Sequence, residues 1–575
     1  MQEKHEIVAS DNVIPAQANY PKSKLTIVGG GIVGFLEAYY AYLEANQRGE
    51  RARVTIHDKN QTLKGTTTAH IVPSLTPDEI LSVVPRALEF INKLRSLFSE
   101  PGGIRVDDVE GVNESASAKE FIRAVQEYGQ DEEGHRTRTE TLLALGKMSM
   151  DLWQDIYEHA DSELKAILIA SNFNPCRERA NVEMLTLHDG YRIDLIYGVP
   201  NAIQKASAMK SDYEGLGYTD CRILSPDEVI SLDPFLAKFC DAHSEPGVAE
   251  SRVWKKDAIA LWRPGGCIDT QVFLPLFHDY LKRVMGQYTN DVGAVKDCFE
   301  LRLQRKVEQV TYEALEMEAS EAPEMEVSTN RMNGLQFFGN STVKRNKHAY
   351  QQSEYVFCPG ESVGTLKNLG LAEPEYARFA GASLMLRIDI PEDKIAEYST
   401  FNHCMEVHQE GVVLAWQARF IDNKIFIGVA GTKAFYGDQQ PHKNQAFAIN
   451  RNLLQLNMVN DVLPEFLSLA LGKPTQGKQL TWIDMEELES RGIAERWVGT
   501  RAVAYDGFPT IGHVYNEEGL VSNARCTTHL GSGGASFSPA AVLVSRSSIF
   551  KEQAVQQELT EKVLAYGNSQ RTYRS

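Results

Sequence analysis

Residues 24–58 read KLTIVGGGIVGFLEAYYAYLEANQRGERARVTIHD. A short apolar strand over 25–28 runs into Gly29, Gly31 and Gly34. A helical stretch follows, then a second strand over 53–57, then an acid, Asp58. This is G-x-G-x-x-G in the setting of strand, tight turn, helix and strand that binds dinucleotides. Gly29 makes the tight turn, Gly31 lets a pyrophosphate approach the backbone, and Gly34 lets the helix pack closely on the sheet. The helix N-terminus offers the phosphates free N–H groups and a partial positive charge. Asp58 can accept hydrogen bonds from an adenosine ribose. It lies somewhat further past the third glycine than usual, and the polar loop over 46–51 accounts for the excess. The competing reading, a chance glycine turn, does not explain the second strand and its acid. The fingerprint alone does not separate FAD from NAD.

Outward from this unit, 575 residues can bury a large core and form more than one domain. Hydrophobic content of 43% and charged content of 24% are those of an ordinary globular protein. A net charge of −18 repels nucleic acid and anionic lipid, which argues against both as partners. No apolar run approaches the roughly 18 residues needed to span a bilayer, so no transmembrane segment is expected. The start of the chain is polar, without the apolar core of a signal peptide. The eight cysteines are scattered with no C-x-x-C pair, which reads as free thiols in a reducing compartment rather than a disulfide or metal framework. A cytoplasmic protein is expected. Peripheral attachment to a membrane stays open.

Residues 1–22 read as a flexible extension. The runs DEILSVVPRALEFINKLRSLF (78–98) and TETLLALGKMSMDLWQDIYEHADSELKAIL (139–168) carry apolar residues at helical spacing, with Pro85 kinking or starting the first. The polar stretch 99–119 between them is a loop or insertion. A short strand is expected over 183–187. In SPDEVISL (225–232), Ser225 caps a helix, Pro226 takes its first position and Glu228 completes a capping box. In GGCIDTQVFLPLFHDYLKRVM (265–285), two glycines lead a short strand into an N-cap at Asp269 or Thr270 and an amphipathic helix. Strand-like runs follow over 306–312, 325–328 and 334–338, with the acidic run 313–326 as a solvated loop. EYVFCPGESVGTLKNLG (354–370) is a strand ending at a glycine. Residues 380–432 alternate as antiparallel strands, clearest in GVVLAWQARF and NKIFIGVAG. Residues 445–470 are helical. An α/β domain interrupted by an inserted antiparallel sheet explains this order better than separate domains in a row.

Several segments together resemble the D-amino-acid oxidase superfamily of FAD-dependent oxidoreductases, the group with glycine oxidase, sarcosine oxidase and dimethylglycine dehydrogenase. The opening GGGIVG with its acid is similar. So are LSPDEVISLDPFL, GGCIDTQVFLPLF, VFCPGESVGTL, VGTRAVAYDGFPTIG and THLGSGGASFSPAA, in family order along the chain. Pro359, Glu361 and Ala502 depart from the family pattern. The extra material over 1–22, 100–180 and 313–350 lies outside the resemblance.

The resemblance implies a discontinuous FAD-binding Rossmann-like domain with an inserted antiparallel-sheet substrate domain and extra helices. It divides the chain into an extension (1–22), FAD-binding parts (23–182, 263–378 and 495–575) and substrate-domain parts (183–262 and 379–494). FAD is the implied cofactor, ahead of NAD. Gly531, Gly533 and Gly534 would let the backbone approach the isoalloxazine ring, with the next helix aimed at it; a plain glycine loop capping that helix is the alternative. Gly360 would lie near the cofactor. Arg501 would hold a substrate carboxylate by two parallel hydrogen bonds; the alternative is an arginine paired with a domain-interface acid. His70, in GTTTAH, stands where related dehydrogenases bond a histidine to the flavin. The plainer reading has Thr66, Thr67 and Thr68 contacting the cofactor and His70 packing nearby. Val307 and Val310 would flank the adenine through their backbone, or simply fill a strand core. His403, Arg419, Lys433 and Tyr436 could face the substrate but read more readily as satisfied or solvated residues. The implied reaction is oxidation of the C–N bond of an amine or amino acid by hydride transfer to flavin N5, with oxygen or another acceptor taking the electrons. Oxidation of a hydroxylated substrate, or a flavoprotein scaffold without turnover, stand as alternatives.

Overall fold

The computed structural model describes residues 21–63, 74–75, 105–106, 116–128, 131–173, 191–215, 221–243, 251–290, 293–314, 329–337, 341–344, 352–360, 365–399, 401–409, 412–437, 446–531, 534–548, 557–568 and 570. β1 (Ser23–Val28), α1 (Ile32–Gln47) and β2 (Ala52–His57) open it. Helices α2 (Glu132–His159) and α3 (Ser162–Ala170) follow. Next come β3 (Tyr191–Tyr197), β4 (Ala258–Pro264), α4 (Thr270–Met285), β5 (Phe299–Arg302), β6 (Val307–Ala314), β7 (Thr329–Phe337) and β8 (Gln352–Phe357). Four long strands, β9 (Tyr376–Asp389), β10 (Asn402–Gln409), β11 (Val412–Ile421) and β12 (Lys424–Gly437), precede α5 (Ala446–Val462). β13 (Ala494–Ala504), β14 (Thr510–Asn516), β15 (Gly519–Thr528) and α6 (Ser538–Ser547) complete the set used below.

The first sheet runs β5-β2-β1-β8-β15-β7-β6, with β14 paired to β15. Its first six strands pair in parallel: β5 with β2, β2 with β1, β1 with β8, β8 with β15, and β15 with β7. A central parallel strand is covered on both faces, so it reads as a continuous apolar run, as TIV does in β1. α1 is buried on more than one side. Phe35, Leu36, Ala38, Tyr39, Tyr40 and Ala41 are all enclosed because α4, α6 and the sheet surround the helix.

The second sheet runs β13-β9-β12-β11-β10-β3-β4 and ends at Arg222–Ile223. It is antiparallel except where β10 pairs with β3 and where the short strand Arg105–Val106 pairs with β12. One face carries Ile193, Leu195, Trp262, Leu384, Leu386, Val407, Leu414, Trp416, Ile427 and Val429, packed against α5 and the helices that follow it. The expected mixed α/β architecture, with a parallel sheet and a separate antiparallel one, is therefore present. β13 pairs with β9 from Ala494 to Ala504, so the stretch expected to rejoin the first domain at 495 begins as the last strand of the antiparallel sheet. The capping box at Ser225 is formed, and Asp269 caps α4 through Gln271 and Val272 N–H. The runs over 78–98, 183–187 and 325–328 lie outside the described residues.

Candidate functional site

Gly29 adopts φ +119°, and a Cβ there would fall 2.0 Å from the Cys358 carbonyl oxygen. The β1 end must therefore pass directly against the end of β8. A Cβ on Gly34 would fall 2.1 Å from the Gly29 carbonyl oxygen, which is the close helix-to-turn packing the motif requires. Gly31 is the N-cap of α1, with no side-chain cap and no acid in the first turn. Asp58 is buried, and its two oxygens accept from Gly30 N–H at 2.6 Å and Asn60 N–H at 2.7 Å. Each oxygen keeps a second lone pair, so the carboxylate can still accept from a ribose hydroxyl. Val307 and Val310 are buried in a cluster with Val28, Leu335 and Phe337. Thr66, Thr67, Thr68 and His70 lie outside the described residues.

The far end of the chain returns to the same place. β15 lies next to β8, one strand from β1. His529 follows it in a left-handed conformation, φ +58°. Its Nδ1 is 2.8 Å from Thr510 Oγ1, its Nε2 is 3.4 Å from a Glu373 oxygen, and its ring stacks on Tyr376. Nothing in the sequence reading singled out this histidine; its place beside the glycine turn was the available signal. Gly531 (φ +57°) donates its N–H to the Ala502 carbonyl at 3.2 Å. Gly360 has φ +56°, and a Cβ on Gly360 or Gly534 would meet nothing within 4 Å. Gly533 is outside the described residues. From α2, Ser149 donates to Ser536 O at 2.5 Å and Trp153 Nε1 donates to Ala535 O at 3.0 Å, so this helix pins the turn.

Arg501 is half-buried on β13, opposite Phe379 of β9. Its guanidinium lies over Gly381, where a Cβ would be 2.8 Å from one of its nitrogens. The Trp497 ring lies over Gly499, the cross-strand partner of Gly381. Side chains alternate between faces, so Arg501, Trp497, Ser383, Gln417, Cys404, Glu406 and His408 share the face opposite the helix-covered core. On that face Ser383 Oγ, Gln417 Nε2 and His408 Nε2 are buried without a hydrogen-bond partner among the described residues. Such atoms call for a bound group or water.

The same face holds a compact charge network. Arg263 Nε meets Asp194 at 2.6 Å, and Glu406 takes Arg192 at 2.6 Å and Arg263 at 3.0 Å. Burial works against the Glu406 charge, but the Arg192 guanidinium and the His408 ring, 3.6 Å away, outweigh it and hold its carboxyl at about 2. Asp194, Glu406 and His408 place ligand atoms within 4.8 Å of one another. Two guanidiniums already balance the two carboxylates, so a divalent cation would meet a neutral, occupied cluster. His403 lies 3.1 Å from Asp233, and Arg419 is paired with Asp269, so each has an acid beside it inside the protein. The side chains of Lys433 and Tyr436 are outside the described set. Among the described residues seven cysteines are free, and no helix is long and apolar enough to cross a membrane.

No family model and no curated protein matches the sequence. Solved structures do resemble the fold. Glycine oxidase from Bacillus cereus ATCC 14579 matches at 12% identity and a TM-score of 0.46, over 92% of this chain and 96% of the other. L-proline dehydrogenase from P. horikoshii matches at 13% identity and 0.47, over 96% and 98%. L-alpha-glycerophosphate oxidase from Mycoplasma pneumoniae, solved with FAD bound, matches at 11% identity and 0.44, over 96% and 98%.

Proposed function

We propose that this chain is an FAD-dependent oxidoreductase acting on the C–N bond of an amine or amino acid. The observation that carries the reading is the hydrogen bond from Gly531 to Ala502, which joins the C-terminal glycine turn to the strand bearing Arg501. Bound FAD would supply a two-electron acceptor that takes hydride at N5. Gly29, Gly31, Gly34 and the uncapped start of α1 would hold its diphosphate. Asp58 would take the ribose, with the backbone at Val307 and Val310 near the adenine. Thr67, Thr68, His70, Gly360, Gly531, Gly533 and Gly534 would line the rest. The buried unpartnered atoms and the open glycine turns fit a bound group on this side of the sheet.

Arg501 would fix a substrate carboxylate through its guanidinium fork and so orient the adjacent C–H. Its guanidinium lies over Gly381 and it stands opposite Phe379. A guanidinium fork suits one carboxylate, whereas a phosphate would want a basic pocket, so an amino acid is the reading taken over a hydroxylated phosphoester. Oxygen or another acceptor would complete the cycle.

The test begins with the visible spectrum of the purified protein and acid precipitation. Yellow supernatant means dissociable FAD; a yellow pellet means a covalent link, checked with His70→Ala. Anaerobic bleaching by carboxylated amines is expected, and Arg501→Ala should slow it by at least about 100-fold while flavin content is kept. A protein that takes up no FAD sinks the proposal. One that binds FAD but is bleached by no amine or hydroxy acid is a scaffold.

A further inference from the structure

The dinucleotide-side lobe and the antiparallel sheet meet along a short polar seam. On one side stand Asn172, Cys267 and Asp269, at the entry to α4. On the other stand Asn402, Cys404 and Arg419, on the polar face of β10 and β11. Asn402 Nδ2 donates to Asn172 Oδ1 at 3.0 Å, and Asn172 Nδ2 returns the bond at 3.5 Å. Asp269 pairs with Arg419. Between these two clasps the thiols of Cys267 and Cys404 are in hydrogen-bond contact. Cys267 is buried, and its single S–H has two alternative acceptors, Asn172 O at 3.3 Å and the Cys404 sulfur; Cys404 is partly exposed on the open face of the sheet.

We propose that Cys404 and Cys267 are an oxidative modification site: hydrogen peroxide converts the pair to a disulfide that ties the antiparallel sheet to the α4 lobe. The two thiols differ in a way that orders the steps. The hydrogen bond from Cys267 and the nearby Arg192 guanidinium pull the Cys404 thiol below its ordinary range, while the same contact and burial push Cys267 up. The Cys404 thiolate attacks the O–O bond, forming an S–O bond and expelling hydroxide, which takes up a proton to leave as water. The Cys267 sulfur then attacks the Cys404 sulfenic sulfur. An S–S bond forms, the S–O bond breaks and a second water leaves with the Cys267 proton. Two thiols lose two electrons, and one peroxide becomes two waters. A dithiol reductant reverses the change. The site stands on its own residues and does not depend on the reaction proposed above.

The full-length protein is exposed while folded to a few equivalents of hydrogen peroxide, then denatured, alkylated and digested for mass spectrometry. The expected product is one Cys267–Cys404 cross-linked peptide pair, lost after dithiothreitol, with a Tm a few degrees above that of the reduced protein. In Cys267→Ser, Cys404 should be captured as its sulfenic acid by a cyclic 1,3-dione. Recovery of both cysteines as single alkylated residues would overturn the proposal, as would oxidation reaching other cysteines first. Should Cys267→Ser fail to fold, the peptide map of the unaltered chain decides alone.

Discussion

At Gly29 two penalties coincide: a backbone conformation that side chains avoid, and a carbonyl oxygen 2.0 Å from where a methyl would go. Gly49 has a similar need for positive φ (+63°) but open space around it. Gly29→Ala should therefore lower stability by about 2–5 kcal/mol, and Gly49→Ala by only about 1 kcal/mol, in urea unfolding. Just before Gly30's partner Asp58 stands His57, buried, its ring tilted against Phe337 with centroids 4.5 Å apart. Burial, aided by the positive charge of Arg302, drives its folded pKa from 6.5 to about 3. Above pH 6.5 the ring is neutral whether folded or not, and its contribution is whole. Below that the unfolded chain takes a proton the folded one refuses, so stability falls as pH drops from 6.5 towards 3. His57→Phe should flatten that part of the stability–pH curve by up to one proton's slope. An unchanged slope would remove His57 from the account. The turn at Gly29 and the close packing at Gly34 were readable in sequence because strand, turn and helix are neighbours along the chain; the approach of Cys358 to Gly29 was not. The fate of His57 was not, since it depends on the neighbours β5 and β7 bring.

At the scale of elements, α1 carries a glutamate, Glu37, on a side that is fully buried. Its partner is Arg525 of β15, 488 residues away, at 2.7 Å. Arg525 also reaches Glu354 of β8 at 2.7 Å, and Arg546 of α6 joins Glu37 to Glu44. One network thus clamps the fingerprint helix to the last strand and last helix. Removing one member leaves buried charge uncompensated, so Arg525→Met should cost about 3–5 kcal/mol. Adding Glu37→Gln should recover part of that in a double-mutant cycle, and strict additivity would refute the coupling. Ser225→Ala should cost only about 1 kcal/mol, because its capping box is exposed and short-range. The contrast marks what sequence can tell. Ser225, Pro226 and Glu228 spell their interaction within four residues. Glu37 reads only as a charge on a helix until β15 is laid beside β8. Arg192, Asp194, Arg263 and Glu406 were missed for the same reason, since three strands must align before they meet.

For the whole molecule, the order of segments was readable: a βαβ opening, a strand-rich middle and a return of glycine turns. What sequence could not show is how tightly the return is built in. β15 fills the place beside β8, and α6 covers α1. Trp153 of α2 donates to Ala535, which gives the helical stretch over 139–168 a structural task that its periodicity alone did not imply. A chain ending at residue 504 keeps the complete fingerprint and the complete antiparallel sheet. It loses β14, β15 and α6, so it exposes the edge of β8, strands Glu37 without Arg525 or Arg546, and uncovers the apolar side of α1. Burying that apolar surface is a large share of what folds the first lobe. Truncation at 504 should therefore yield insoluble or molten protein, and residues 505–575 co-expressed as a separate chain should restore solubility and native-like circular dichroism. If 1–504 purified alone as a cooperatively unfolding monomer, the two ends of the chain would not be parts of one folding unit, and the proposal that both glycine turns hold one cofactor would lose its structural basis.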